Sequence, residues 1–206
     1  MSEIRIARDD VKTRTHLLDK AKSYLRLNGF KGTTVRNLAN HLGLSTSSLY
    51  YHFPNKEAIL SSCLLDDTLK LIRDTENISL DKSKTVIQRL ELFIQAHITF
   101  QIEWCGAVAR SKKTPHGIVS IVDGMSQEIQ EQMRNLERRF VKSLVFILEE
   151  GREANIFQIP DLIITAYAII SFGEHLITWY HPNGKIPPDK AVQIFINFAK
   201  KMVLST

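Results

Sequence analysis

Hydroxyl and aromatic side chains follow one another closely between residues 45 and 52, where the sequence reads STSSLYYH. Serine and threonine hydroxyls bond to phosphate oxygens and base edges, and a tyrosine combines a phenol donor with an apolar ring. Lys56 adds a positive charge four residues after this segment. Together these side chains offer the chemistry of binding a phosphate-bearing polymer, by hydrogen bonds and by charge.

Two short helices joined by a tight turn must position these side chains. We predict the first helix from Val35 to His41 and the second from Ser45 to His52, with Gly43 in the turn, where a permissive backbone is needed. Leu49 and Phe53 are four residues apart and define the inward face of the second helix. This is the outline of a helix-turn-helix, whose second helix lies in the major groove of DNA.

The outward face of the second helix then follows from its geometry. At about 100° per residue, Ser47 and Tyr51 point most directly away from the core, with Thr46 and Tyr50 beside them. The helix carries no Arg, Gln or Asn, the side chains that read bases with two hydrogen bonds. We therefore expect part of the specificity to come from thymine methyls, water, DNA shape, or Arg36 at the groove edge.

The positive charge of the chain lies at the same end. Residues 1–60 hold ten Lys and Arg against five Asp and Glu, whereas residues 61–206 hold 17 of each sign. The net charge of +5 therefore belongs wholly to the segment that carries the helix-turn-helix. This asymmetry favours a polyanion as partner, and a solvated basic surface is the alternative.

Other classes of protein lack support in the sequence. The two cysteines, Cys63 and Cys105, are too few for a disulfide framework, and no catalytic, cofactor-binding or metal-binding motif is present. The N-terminus does not resemble a signal peptide, and the apolar run from Leu162 to Phe172 is shorter than the roughly 20 residues that span a membrane. We predict a cytoplasmic protein without membrane contact that is not an enzyme and needs no cofactor or metal.

Helical periodicity runs through the whole chain, so the predicted fold is all-α, with about nine helices. A frayed arm is expected before Asp9 or Asp10, Phe30 is expected to plug the junction before the helix-turn-helix, and polar loops are expected at Thr75 to Lys84 and Ser111 to Gly117. The other predicted helices are residues 9 or 10 to 28, 55 to about 75, 85 to about 104, 118 to about 150 with an interruption near 123–124, 160 to about 179, and 188 onward.

The segment LYYHFPNKEA, with Ala39, Gly43, Ser45 and Leu60 at matching spacing, resembles the signature of the TetR-type transcriptional regulators. The specific resemblance covers about residues 10–60, and the remainder matches in length and helical pattern. It implies a three-helix DNA-binding domain at residues 1–54 and a helical effector-binding and dimerisation domain at residues 55–206.

The resemblance also implies which residues meet DNA. The tyrosines and Lys56 would mostly hold phosphates, and Thr46 and Ser47 would lie nearest the bases. The full set by resemblance is Thr34, Ser45, Thr46, Ser47, Tyr50, Tyr51, His52 and Lys56.

TetR-like folds usually hold an apolar effector pocket, and aromatic, Met and His residues at core-facing positions are its candidates here, although each also fits an ordinary core. These are Phe93, His97, Phe100, Trp104, Met125, Met133, Phe140, Phe172 and His175. The polar groups that would orient a ligand are His97, Gln101, His175 and Arg110, and Arg110, Lys112 and Lys113 could meet an acidic head group. The turn from Trp179 to Pro182 resembles regulators of lipid and acyl-CoA degradation, which suggests an acyl-CoA, with a generic hydrophobic effector as the alternative.

The two C-terminal helices fit an intersubunit four-helix bundle, as the resemblance also implies. The predicted interface consists of Ile169, Leu176, Val192, Phe195, Ala199 and Met202. The expected protein is a homodimeric repressor of a palindromic operator, released by a small hydrophobic effector. The alternative is a helical carrier of a hydrophobic ligand whose basic end is incidental.

Overall fold

The computed structural model describes residues 2–29, 32–108, 122, 125–181 and 183–204, with side chains described from residue 15 onward except at 106–108. The described residues form nine helical segments with defined bounds and no strand, as the all-α prediction requires. These are α1 Ser2–Asn28, α2 Val35–Leu42, α3 Thr46–His52, α4 Lys56–Leu80, α5 Val86–Val108, α6 Gln127–Glu153, α7 Leu162–Glu174, α8 Leu176–Trp179 and α9 Pro188–Val203.

The helix-turn-helix forms through local hydrogen bonds that the sequence predicts. Thr34 caps α2 by accepting from the Asn37 amide at 3.1 Å, and Ser45 caps α3 by accepting from the Ser48 amide at 3.0 Å. Gly43 takes a left-handed conformation, with φ of 71°, in the turn between the helices. The turn therefore sets α3 at a fixed angle to α2.

A small apolar core holds the three N-terminal helices together. Leu49 of α3 and Phe53, the residue that follows α3, are both buried in this core. The other members of this core are Leu17, Leu18, Ala21, Leu25, Leu38, Ala39 and Leu42. The predicted inward and outward faces of α3 are thus confirmed.

Helix α5 is the centre of the larger part of the chain, since α1, α4, α6, α7, α8 and α9 all pack against it. Its first turn is held by a reciprocal cap: the Gln88 amide bonds to Thr85 Oγ1 at 3.2 Å, and Gln88 Oε1 accepts from the Thr85 amide at 2.9 Å. Helix α5 contacts α1 as well as the later helices, so it joins the N-terminal helices to the rest of the molecule. A direct contact between α1 and α4 adds to this connection.

Three predicted helix bounds are wrong. Helix α1 begins at Ser2 rather than at Asp9 or Asp10, and no Gly or Pro interrupts residues 2–28. Helix α4 continues through the predicted loop to Leu80, because it packs on α6, and the Thr75 and Ser79 hydroxyls bond back to carbonyls of their own helix. Helix α6 continues past Gly151, its predicted end, to Glu153. The glycine is explained by packing instead, because the Phe157 ring lies where a Cβ would be.

Several predictions fall outside the described residues. These are the junction role of Phe30, the break from Ser111 to Gly117, the start of a helix at Ile118, and its interruption near Asp123 and Gly124. Within the described part, the helix that carries the predicted apolar stripe begins at Gln127, after the Ser126 cap.

The apolar stretch 162–179 was predicted to be one helix buried on several sides, and the structure differs on both points. It is divided at His175 into α7 and α8, and only a third of it is buried. Ile163, Ile164 and Tyr167 are exposed on α7. By length and hydropathy alone this stretch could cross a membrane, a test that core helices also pass.

Candidate nucleic-acid interface and ligand cavity

The outward face of α3 presents the side chains that the sequence predicts. Tyr51 is 80% exposed and Tyr50 is 48% exposed, with Thr46 and Ser47 exposed beside them. Leu49 lies directly beneath this face and is fully buried, so the outward side chains stand on a fixed support. The ring of Tyr51 also meets that of His52 edge to face, with centroids 5.2 Å apart.

Two of the predicted hydroxyls also cap helices. Thr34 and Ser45 each accept a backbone amide, and Ser45 Oγ lies 2.8 Å from Ser48 Oγ. A hydroxyl that accepts a helix amide still has a hydrogen to donate, so both caps can also bind an anion at a positive helix end. The sequence analysis did not single out Ser48, whose exposed hydroxyl extends this group.

Lys56 lies at the first position of α4, where its charge opposes the helix dipole. Its side chain is half-buried, and burial lowers its pKa, while Glu57 partly offsets this effect. Asn55 caps the same helix by accepting from the Ala58 amide at 2.7 Å. Arg36, the predicted groove-edge residue, is exposed on α2. Lysine at a helix N-terminus is an arrangement suited to a phosphate.

A cavity of about 370 Å³ lies among α4, α5, α6, α7 and α8, which is within the range typical for small-molecule sites. Half of its lining residues are apolar, and the polar ones come from four different helices. The lining residues are Thr68, Leu71, Ile72, His97, Phe100, Gln101, Val122, Gln130, Met133, Arg134, Glu137, Phe140, Glu174 and Ile177.

Four of the nine predicted ligand residues line this cavity: His97, Phe100, Met133 and Phe140. Gln101, predicted to orient a ligand, lines it too. Three others contribute only from a distance. Phe93 stacks behind Phe140 at 4.7 Å, Trp104 is fully buried near Arg26, and Met125 accepts a hydrogen bond from Gln130 through its carbonyl oxygen.

Phe172 and His175 do not face the cavity, which corrects the prediction. Phe172 is 42% exposed and packs against Phe195 and Phe198 of α9, and His175 is an exposed residue at the break between α7 and α8. The sequence of α7 is apolar on nearly every side and shows no favoured face. Gly173 lies close to His97 and Ile98 of α5, and this contact determines which face of α7 is turned toward α5. Arg110, Lys112 and Lys113 lie outside the described residues.

His97 is the most deeply buried polar residue of the cavity wall, at 2% exposure. Its Nε2 lies 3.1 Å from the Ile170 carbonyl oxygen. Since a carbonyl only accepts, Nε2 carries the hydrogen, and Nδ1 is left as an acceptor. Burial lowers the pKa of His97 to about 4, so the ring is neutral at physiological pH.

Sequence reasoning missed the polar residues that α4, α6 and α7 contribute to the cavity. Thr68, Glu137 and Glu174 all line it. Burial raises the pKa of Glu174 to about 7, and the nearby Glu137 carboxylate adds to this effect, although one side of Glu174 is exposed to solvent. No short motif joins these residues, because they come together only when three helices pack.

Four of the six predicted interface residues have little surface left for a partner. Ile169, Leu176, Phe195 and Ala199 are buried within one chain, which corrects their assignment. The apolar stripe of α9 is covered by α5 and α7 of the same chain. Val192 is half-buried and Met202 is 42% exposed.

Among the described residues, no group of three or more His, Cys, Asp or Glu side chains is placed to hold a metal ion. Cys63 and Cys105 are both free and buried, and burial raises the pKa of each thiol to about 12.

Comparison with known protein families matches both parts of the chain. Residues 17–63 match the family "Bacterial regulatory proteins, tetR family", and residues 83–203 match "Tetracyclin repressor-like, C-terminal domain". The chain belongs to the TetR family. TetR-family proteins are transcriptional regulators with a helix-turn-helix DNA-binding domain and a ligand-binding C-terminal domain, so the predicted family and architecture are confirmed.

Several known proteins resemble this TetR-family chain along most of its length. The HTH-type transcriptional repressor KstR2 of Rhodococcus jostii is 25% identical over 193 residues, which are 89% of this chain and 87% of KstR2. The TetR-family regulator PfmR of Thermus thermophilus superposes with a TM-score of 0.72 at 24% identity, covering 90% and 97% of the two chains. Bacillus subtilis FadR, solved with stearoyl-CoA, gives 0.66 at 18% identity, covering 91% and 98%.

Proposed function

We propose that this TetR-family chain is a ligand-responsive repressor that binds a palindromic operator as a homodimer in the cytoplasm. The observation that carries the proposal is the exposed hydroxyl and aromatic face of α3, supported by buried Leu49 at the basic end of the chain. The similarity to KstR2, a named transcriptional repressor, supports the sign of regulation. Two copies of α3 would enter successive major grooves, about 34 Å apart.

The proposed contacts divide into positioning and sequence-reading groups. Tyr50, Tyr51, His52 and Lys56 would bind phosphates, as would the Thr34 and Ser45 caps at their helix ends. Thr46 and Ser47 would face base edges and thymine methyls, with Arg36 at the groove edge. The division of the chain into a DNA-binding domain at residues 1–54 and an effector domain at residues 55–206 belongs to the same proposal.

Fluorescence anisotropy with DNA from upstream of the protein's own gene tests the interface. Tyr51→Ala should weaken binding by about tenfold, since one phosphate contact and one aromatic contact are lost. Lys56→Ala should lower the slope of log affinity against log salt by about one for each half-site. Lys201→Ala, which removes an exposed lysine from α9, is the matched control and should change neither value. Equal losses in all three variants would contradict the proposed interface.

The homodimer would form through the apolar side chains that α7, α8 and α9 leave exposed. Ile164 is 71% exposed, and its exposed apolar neighbours along these helices are Ile163, Tyr167, Phe172, Trp179, Phe198 and Met202. Large apolar side chains exposed on neighbouring helices are typical of a protein interface. In this proposal these exposed residues take the place of Ile169, Leu176, Phe195 and Ala199, which are buried within a single chain.

Sedimentation of two aspartate variants tests the dimer. Ile164→Asp should shift the protein toward monomer, because an aspartate would lose its hydration in an apolar interface. Leu80→Asp, at 62% exposure near the end of α4, is the control and should leave the dimer intact. A dimer that survives Ile164→Asp would show that this surface is not the interface.

The effector is proposed to be a hydrophobic or acyl-type molecule, such as an acyl-CoA, bound in the 370 Å³ cavity. The FadR structure with stearoyl-CoA supports an acyl effector in a protein of this fold. Helix α4 lines the cavity through Thr68, Leu71 and Ile72 and begins at Lys56 beside α3. A ligand that prefers one position of α4 would shift the population of DNA-competent dimers.

Addition of acyl-CoA thioesters of graded chain length to the protein–DNA complex tests this step. At least one thioester should release the DNA, with an affinity that depends on chain length. A protein that binds apolar ligands but never binds DNA would instead fit the alternative function, a helical carrier with an incidental basic end.

A further inference from the structure

We infer that the part of the effector buried in the cavity is uncharged and apolar and carries a hydroxyl group, and that this hydroxyl donates to Nδ1 of His97. The inference rests on the proposed function in treating the cavity as the effector site. It goes further by naming the polar group that the buried part of the ligand must carry and the atom that recognises it.

The state of the His97 ring determines what it can bind. Its Nε2–H is donated to the Ile170 carbonyl oxygen, and Gly173 lies against the same edge of the ring, since a Cβ there would be 2.6 Å from both Cδ2 and Nε2. Nδ1 lies opposite this edge in an imidazole, so it points away from α7. It is buried and has no hydrogen-bond partner among the described residues. A buried acceptor without a donor is destabilising, and a ligand hydroxyl would remove that cost.

Thr68 of α4 offers a second buried polar atom in the same wall. Its Oγ1 likewise has no hydrogen-bond partner in the described part of the chain, and the residue is 8% exposed. A threonine hydroxyl can donate or accept, so it can bond to the oxygen of a ligand hydroxyl that donates elsewhere. A hydroxyl is therefore suited to both residues, whereas an ether or a carboxylate offers no hydrogen to Nδ1.

The charges around the cavity disfavour an anionic group in the buried part of the ligand. Glu137 and Glu174 line it, and Arg134 is the cation among its described lining residues. The Arg134 guanidinium already bonds to Glu131 at 2.7 Å. A carboxylate bound in the cavity would face the Glu137 carboxylate and would lose hydration in apolar surroundings.

The apolar wall accepts the rest of the molecule. Leu71, Ile72, Phe100, Phe140 and Ile177 surround the polar residues. Burial of an alkyl chain among these side chains supplies affinity without selecting a head group, at roughly 0.8 kcal/mol for each methylene. The selectivity for a hydroxyl therefore depends on His97, and Thr68 adds a bond to the ligand oxygen.

Calorimetric titration of the full-length protein at pH 8 tests the inference with three probes: octan-1-ol, its isomer 1-methoxyheptane, and octanoate. The alcohol and the ether have the same atoms, and only the alcohol has a donor. We expect octan-1-ol to bind about fivefold more tightly than the ether, as one additional buried hydrogen bond implies, and octanoate to bind most weakly.

Two variants test the roles of His97 and Thr68. His97→Phe keeps a ring but removes the acceptor nitrogen. Its affinity for the alcohol should therefore fall to the value for the ether, and its affinity for the ether should stay unchanged. Thr68→Val is nearly isosteric and should weaken binding of the alcohol and of the ether alike, because the oxygen of either can accept from the Thr68 hydroxyl. The preference of the unmodified protein for the alcohol tests the inference even if His97→Phe does not fold. Thr99→Val, an exposed threonine of α5 outside this cavity, should retain the full preference.

Equal affinity for the alcohol and the ether in the unmodified protein would overturn the inference, as would tightest binding of octanoate or no binding of any probe. These titrations contain no DNA. A negative result would therefore overturn this inference without affecting the repressor proposal, which the DNA-binding measurements test separately.

Discussion

Ser45 illustrates how single residues serve both the fold and the proposed interface. Its hydroxyl accepts the Ser48 amide at 3.0 Å, and the same side chain is exposed at the start of α3. Such a residue fixes where the recognition helix begins, and it therefore fixes which side chains of that helix face outward. Ser47, two residues later, is exposed and caps nothing in the described structure.

Substitution of these two serines should separate the two roles. Ser45→Ala should lower the free energy of unfolding by about 1 kcal/mol, because α3 loses its N-cap. Ser47→Ala should leave stability almost unchanged, since alanine is a good helix former at an exposed position. Urea denaturation measures both. Equal stability of the two variants would show that the Ser45 cap does not stabilise the helix.

For single residues, the sequence predicts the outward face of α3 well and the lining of the cavity only in part. The outward direction of Tyr51 follows from a short helix with two anchors, Leu49 and Phe53, at fixed spacing. Phe172 and His175 were misplaced because the apolar run around them shows no favoured face and no signal of a break at residue 175. Glu174 was missed because its role depends on helices distant in the sequence.

Among the elements, α7 depends on a close approach to α5. Gly173 is buried at this contact, and a Cβ there would lie 2.6 Å from the His97 ring and 2.8 Å from Ile98 Cδ1. This absence of a side chain lets the Ile170 carbonyl oxygen reach His97 Nε2 at 3.1 Å. The glycine thus positions one wall of the cavity.

Gly173→Ala should destabilise the protein by about 1–3 kcal/mol, because the added methyl group overpacks this contact. The loss should occur even though alanine favours helix by roughly 1 kcal/mol over glycine. Ser171→Ala, at an exposed position of the same helix, is the control and should have little effect. Thermal unfolding measures both variants, and a stabilised Gly173→Ala protein would contradict the close contact.

Helix lengths show a similar limit of sequence analysis. The polar residues from Thr75 to Ser79 were predicted to be loop, but packing of α4 on α6 extends the helix through them. Gly151 was predicted to end α6, but its role is to accommodate Phe157. Composition indicates where a helix can end, and tertiary packing decides whether it does.

In the whole molecule, partly buried ion pairs connect the DNA-binding end to the cavity-bearing part. Asp67 of α4 pairs with Lys22 of α1 at 2.8 Å and with Arg26 at 2.7 Å, and Arg26 also reaches Glu103 of α5 at 2.8 Å. The hydrogen bonds and charges of Asp66 and Asp67 raise the pKa of Lys22 against the effect of burial. These ion pairs therefore link α1, α4 and α5 to one another.

Asp67→Asn should destabilise the protein by about 2 kcal/mol, because it leaves buried Lys22 and half-buried Arg26 with fewer counter-charges. Glu131→Gln, which breaks an exposed pair with Arg134, should have no measurable effect. Chemical denaturation compares the two variants. An Asp67→Asn protein as stable as the Glu131→Gln control would contradict a stabilising role for these ion pairs.

The dimer shows the limit of sequence analysis at the largest scale. The stripe of α9 that contains Phe195 and Ala199 was correctly recognised as apolar, but the chain's own α5 and α7 cover it. A periodic pattern shows that a face must be buried and does not show which neighbour buries it. The exposed apolar residues of α7, such as Ile164, became apparent only in the folded chain.

The most direct test of the account is the affinity of the protein for DNA from upstream of its own gene, compared with a shuffled duplex of the same length and composition. Anisotropy titrations at two salt concentrations provide both values. We expect the upstream site to bind at least about 10³-fold more tightly than the shuffled duplex, with two protomers per site. Both affinities should fall steeply as salt rises. Equal affinity for the two duplexes, or no binding at moderate salt, would contradict a specific DNA-binding regulator.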